Sequence, residues 1–229
     1  MSWSGPEGAQ GVAGLPSKEH VDDSIARALR GESYLDPEVL KIHGFATPTM
    51  RHLFSNLCHI KGATYLEIGT FCGATFVAAF NNNWIHAIGV DDFTQSFEET
   101  GVREQLHANV DEWKSTAAMV DFINFDCWQE PLMPLHHQSI DIYYYDGNHS
   151  FENQSRALPA FFDHLSNHFL FIVDDTNWKD VSMGTAAGFA ALEGKVKIEQ
   201  NWRLTGEQSS SDDPTWHNGL DIYLCSKVK

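Results

Sequence analysis

The chain has 229 residues, 42% of them hydrophobic and 20% charged, so it can bury the core of one large domain with an appended arm. Its 31 acidic against 15 basic side chains give a formal net charge of −16; such a surface repels polyanions, and no Lys/Arg cluster marks a basic groove, which argues against nucleic acid as a partner. No apolar run approaches the roughly 20 residues of a membrane span, the N-terminus lacks the basic-then-apolar pattern of an export signal, and Cys58, Cys72, Cys127 and Cys225 read as buried thiols rather than two disulfides, so a cytoplasmic protein without membrane contact is expected.

Residues 1–18, rich in Gly, Pro and Ser, read as a flexible arm. Residues 19–60 read as an N-terminal helical region. Val21, Ile25 and Leu29 recur at helical spacing before Gly31. Asp36 can cap a short helix with Pro37 in its first position and Gly44 at its end. Thr47 and Pro48 repeat that logic ahead of Met50, Leu53, Phe54 and Leu57. This region is expected to cover the site or to make a homodimer contact.

From residue 61 onward the pattern changes. Strands are predicted over 63–69, 85–92, 120–126, 139–147 and 169–175, with helices over 73–82, 103–117 and 150–167, the last interrupted by Pro159. Near-continuous apolar strands alternating with helices point to a parallel sheet covered on both faces. The segments 194–204 and 218–228 read as an antiparallel strand pair around the polar stretch 205–217, in which the acidic loop 207–213 is a candidate lid.

The first strand runs into "LEIGTFCGAT", which places Glu67, Gly69 and Gly73 at a strand-to-helix turn. Glycine there permits close approach of a ligand, or simply a tight turn with close packing of helix on sheet. Asp91, at the end of the second strand, stands where an acid can accept from both hydroxyls of a ribose; Asp92 is the alternative. Asp126 ends the third strand, within reach of an adenine. Phe71 stands where a dinucleotide fingerprint has its second glycine, and Glu67 disfavours a pyrophosphate nearby. An acid at that place suits a cationic ligand end such as the ammonium of a methionine moiety. Together these favour S-adenosyl-L-methionine over a nicotinamide dinucleotide.

The succession "LEIGTFCGAT", "VDD", "DGNHSFE", "VDD" resembles the class I S-adenosylmethionine-dependent methyltransferases, and more narrowly the macrocin O-methyltransferase-like enzymes that methylate sugars and other small molecules. The resemblance spans residues 47–229. It implies an α/β, Rossmann-like methyltransferase fold: a seven-stranded, mostly parallel sheet of order 3-2-1-4-5-7-6 with the last strand pair antiparallel, filling residues 61–229. It implies a cofactor site that includes Thr70, Phe71, Thr75, Cys127 and Asp146 beside the residues already named. It also implies a divalent metal, Mg²⁺ or Mn²⁺, on Asp146, Asp174 and Asp175, carboxylates at the ends of two strands that would be neighbours. Such an ion would hold a substrate hydroxyl and lower its pKa. Alternatively, Asp146 makes an Asp-Gly turn and Asp174 caps a helix starting near Asn177.

The candidate general base is His149, whose ordinary pKa near neutrality suits removal of a hydroxyl proton; its other role would be a hydrogen bond within the turn. Asn148 stands where some relatives have an acid and cannot serve. Adjacent His136 and His137 make a poor metal pair. Trp178, Trp202 and Trp216 are candidate walls of an acceptor site. The function expected is O-methylation of a small-molecule hydroxyl, of a sugar in particular. The alternatives are an NAD(P)-dependent oxidoreductase and a non-catalytic nucleoside-binding protein.

Overall fold

A computed structural model describes residues 14–94, 100–129, 139–205 and 215–228. Its elements in chain order are α1 (Lys18–Leu29), a 3-10 turn (Pro37–Lys41), α2 (Pro48–Leu57), β1 (Thr64–Ile68), α3 (Ala74–Phe80), β2 (His86–Asp91), α4 (Val102–Trp113), β3 (Met119–Asn124), β4 (Ile140–Tyr145), α5 (Phe151–Phe161), β5 (Leu165–Val173), α6 (Lys179–Ala191), β6 (Val196–Leu204) and β7 (Leu220–Lys227). The strands form one seven-stranded sheet of order β3-β2-β1-β4-β5-β7-β6. β3, β2, β1, β4 and β5 run parallel, and β7 is antiparallel to both β5 and β6, as the resemblance implies.

Strand periodicity divides the core in two. Tyr143 and Tyr145 point to the face covered by α5 and α6, where they meet Leu158, Phe161 and Val181. Tyr144, between them, points to the face covered by α1–α4 and packs on Phe54 of α2 at a ring separation of 4.5 Å. Residues of α1 and α2 share this core with Tyr65 and Phe76, so the N-terminal helices are built into the sheet's packing. Thr47 caps α2 as expected, accepting from the Met50 amide at 3.2 Å, with Pro48 in the first turn. All four cysteines are free thiols, and no helix among the described residues is long and apolar enough to cross a membrane.

Three elements differ from the sequence reading. The predicted helix 150–167 stops at Phe161, two residues after Pro159; a 3-10 turn follows and β5 begins at Leu165. Proline removes an amide but does not stop the last helical turn, and the strand takes over where β4 offers a partner. Helix α6 was missed as a periodic element because it packs through small residues: a Cβ on Gly184 would lie 2.6 Å from the Gln154 Cβ. The helix anticipated near Asn177 is therefore present, but Trp178, not Asp174, is its N-cap. The arm's residues 1–13, His136, His137 and the loop 207–213 lie outside the described residues.

Candidate active site

The carboxyl ends of β1, β2, β4 and β5 surround a cavity of about 1080 Å³. In an open α/β sheet this is where strand ends leave a crevice for ligands. Among the predicted site residues, Gly69, Thr70, Phe71, Thr75, Asp91, Asp92, Asp126, Cys127, Asp146, His149, Asp174 and Asp175 line it; Glu67 and Gly73 do not.

The glycine turn is set by the chain's own packing. Gly69 and Gly73 both have φ near +88°, and Phe71 has φ +47°. A Cβ on Gly69 would lie 2.0 Å from the Asp146 carbonyl oxygen, and one on Gly73 would lie 2.7 Å from Leu106 Cδ1. Close helix–sheet packing thus already accounts for these glycines.

Asp91 braces the turn. Its Oδ2 accepts from the Thr70 and Phe71 amides, both at 2.8 Å, and its Oδ1 accepts from the Phe93 amide at 2.7 Å. Burial pushes its pKa up, against these hydrogen bonds. Little capacity remains for two ribose hydroxyls. Asp92 is exposed to the cavity; its Oδ1 accepts from Thr94, and its Oδ2 has no hydrogen bond among the described residues. Of the two acids weighed for the ribose, Asp92 is the freer.

Glu67 is fully buried, accepting from the Tyr65 hydroxyl and from Thr75 Oγ1. Burial raises its pKa to about 8. It is not among the residues that line the cavity. Thr75 lines the cavity and is oriented by Glu67. Asp126 shapes the next turn, accepting from the Trp128 amide at 3.0 Å. Trp128, which the sequence reading passed over, lines the cavity with the Arg156 guanidinium 4.4 Å above its ring. Its only signal was its place two residues beyond the acid at the end of β3.

The carboxylates at the ends of β4 and β5 do converge. One ligand atom each from Asp146, His149 and Asp174 lies within 4.8 Å of the others. Asp175 is not in that set. It has φ +52° and is buried, and its Oδ2 faces His149 Nδ1 at 3.7 Å, while Asp146 Oδ1 faces Nε2 at 3.6 Å. Of the expected trio of Asp146, Asp174 and Asp175, the geometry brings Asp146 and Asp174 together with His149 in a set that could hold an ion, while Asp175 lies outside that set.

No Lys or Arg pairs with Asp146 or Asp174 among the described residues. Burial raises the pKa of Asp174 to about 8, with repulsion from Asp175 adding to it. Asp146 is pushed well up by burial and then by repulsion from Asp174 and Asp175. Burial lowers the pKa of His149, and Asp175 opposes that only in part, so the imidazole is neutral at neutral pH. Its Nε2 is buried and has no hydrogen-bond partner among the described residues. Crowded, uncompensated carboxylates beside an unsatisfied imidazole nitrogen fit a cation.

Aromatic side chains rim the opening. Trp178 is 46% exposed and meets His149 edge-on at 5.5 Å. Phe45 lies 5.4 Å from Phe71 across the glycine turn. Arg51, itself buried, holds the Phe45 segment by donating to the carbonyls of Leu40 at 2.8 Å and Ala46 at 3.1 Å. Trp202 and Trp216 are not walls: Trp202 Nε1 donates to Asp22, and Trp216 is 6% exposed within the core.

Residues 66–176 match the family model of a methyltransferase domain. No protein of curated function matches the chain. Among solved structures, a caffeoyl-CoA O-methyltransferase candidate from Staphylococcus aureus shares 13% identity at a TM-score of 0.57, over 91% of this chain and 99% of its own. The O-methyltransferase TomG from Streptomyces achromogenes, solved with S-adenosylmethionine, shares 13% at 0.51, over 94% and 92%. An RNA methyltransferase candidate from Pyrococcus horikoshii shares 16% at 0.50, over 91% and 96%. The chain spans only about half the length of two other matches, 52% and 45%. Fold, sheet order and the matched segment agree: residues 66–176 match a methyltransferase domain, and the sheet around them has the order of the Rossmann-like methyltransferase fold.

Proposed function

We propose that the protein is an S-adenosylmethionine-dependent O-methyltransferase that methylates a hydroxyl of a small molecule, a sugar in particular, with a divalent ion assisting. The observation that carries this reading is the convergence of Asp146, His149 and Asp174 within 4.8 Å, in the same cavity as the glycine turn. S-adenosylmethionine supplies an electrophilic methyl group on sulfur. The attacking oxygen must lose its proton, and the reading assigns that proton to His149, which lines the cavity and whose buried Nε2 has no hydrogen-bond partner among the described residues. Asp175, 3.7 Å from Nδ1, orients the ring. Asp146 and Asp174 would hold Mg²⁺ or Mn²⁺, which would supply the positive charge that lowers a hydroxyl pKa. Cofactor contacts are assigned to Thr70, Phe71, Thr75, Asp92, Cys127 and the Asp126 turn, all on the cavity wall.

A small acceptor is preferred over RNA because among the described cavity residues seven aspartates face one basic side chain, Lys179. The match to a methyltransferase domain weighs against the oxidoreductase alternative. Calorimetry with S-adenosylhomocysteine at saturating Mg²⁺ tests the reading: binding in the micromolar range is expected, and no heat from either adenosyl ligand rejects it.

One observation favours a second arrangement. Because His149 stands inside the convergent set, it is able to serve as the third metal ligand rather than the base. Replacing it with Gln separates the two: a base would be missed in turnover alone, a ligand in Mn²⁺ affinity as well.

A further inference from the structure

Resting on the methyltransferase reading, we infer that the acceptor is cationic, an amine-bearing molecule whose ring lies on Trp178 and whose ammonium is held by Asp180. Asp180 lines the cavity but is part of neither the converging acid set nor the adenosyl wall. It is an exposed residue in the first turn of α6, two residues beyond Trp178. Among the described residues it has no ion-pair or hydrogen-bond partner. The Trp178 ring, half exposed at the mouth and edge-on to His149, leaves a face open for a ring or a cation.

The charge of the whole cavity agrees. Asp91, Asp92, Asp126, Asp146, Asp174 and Asp175 join Asp180 on its lining, opposed by Lys179 alone. A divalent ion and a sulfonium would neutralise part of this and still leave acids in excess. Outside the described residues the sequence has a single Lys or Arg, Lys229. An acceptor bearing phosphate or carboxylate would enter against this field, and one bearing an amine would be drawn in by it. The acceptor class is thereby separated from coenzyme A thioesters and polynucleotides, which proteins of the same fold are described as using.

Three matched probes test this at pH 7.5: the β-glucosides of 4-(aminomethyl)phenol, 4-(hydroxymethyl)phenol and 4-carboxyphenol, cationic, neutral and anionic. Each is titrated into the protein loaded with S-adenosylhomocysteine and Mg²⁺. The cationic probe is expected to bind tightest, by about fivefold over the neutral one, with the anionic probe weakest, and 0.5 M salt should shrink the ratio. Asp180→Asn should bring the cationic and neutral probes together while leaving S-adenosylhomocysteine binding unchanged. Trp178→Ala should weaken all three. If the cationic probe fails to bind, binds no tighter than the neutral one, or keeps its advantage in Asp180→Asn, the inference is overturned. The heat of S-adenosylhomocysteine binding in the same sample tells which idea has failed: its presence spares the methyltransferase reading, and its absence removes both.

Discussion

Gly69 and Asp146 meet backbone to backbone: the space a Cβ on Gly69 would fill is taken by the Asp146 carbonyl oxygen, 2.0 Å away. The Asp146 amide in turn donates to the Ile68 carbonyl at 2.9 Å. The turn that would cradle the cofactor and the strand end that would carry the metal are therefore one rigid unit, set by the parallel pairing of β1 with β4.

Gly69→Ala breaks that unit. The left-handed backbone alone costs a side chain about 1–2 kcal/mol, and the clash with Asp146 adds to it. We expect a lower unfolding midpoint together with loss of both S-adenosylhomocysteine and Mn²⁺ affinity, read by calorimetry. A variant that lost only one of the two ligands would contradict the coupling.

The acids at the end of β2 divide their labour. Asp91→Asn puts an amide group against backbone donors and should lower stability by about 1–3 kcal/mol, seen in a denaturant titration. Asp92→Asn should leave stability unchanged and weaken S-adenosylhomocysteine binding severalfold. Equal loss of stability in both variants would refute this division.

For His149→Gln, a drop in turnover of about 10²–10⁴-fold with unchanged S-adenosylhomocysteine affinity is expected if the imidazole is the base. Stopped-assay kinetics and calorimetry on one preparation decide it. Undiminished turnover would remove His149 from the chemistry.

Glu67→Gln keeps a hydrogen-bonding side chain of the same shape behind the wall. Cofactor affinity should change less than about twofold, because the group does not touch the cavity. A tenfold loss would instead assign Glu67 a direct contact with the ligand ammonium.

The acid cluster makes stability depend on pH, and with it the binding of any divalent ion held there. The folded pKa of Asp174, about 8, lies above the unfolded carboxylate value of roughly 4. Its contribution to stability is therefore full below about pH 4 and is lost as pH rises toward 8. A divalent ion competes with that proton, so the rise in melting temperature caused by Mg²⁺ should be larger at pH 8 than at pH 6. Asp174→Asn should abolish the difference. Equal shifts at both pH values would argue against a metal at these carboxylates.

Much of the fold was legible in residue order. Apolar strands ending in Gly69, Asp91, Asp126, Asp146 and Asp174 carried the alternation of the sheet, and Thr47 and Pro48 marked the start of α2, because these signals depend on backbone conformation within a few residues. Helix α6 escaped because Gly184 and Gly188 give it a close-packed interface without large apolar side chains.

By itself the chain order determined the architecture and the segments that meet at the cavity, since period and turn chemistry are local properties. Only the tertiary structure decided which side chains face inward there: that Asp91 is occupied by the turn, that Glu67 lies behind the wall, that His149 stands with Asp146 and Asp174 while Asp175 turns to its ring, and that Trp178 rather than Trp202 or Trp216 is at the mouth. Side-chain direction and hydrogen-bond capacity at a strand end are set by neighbours distant in sequence, and no local pattern encodes them.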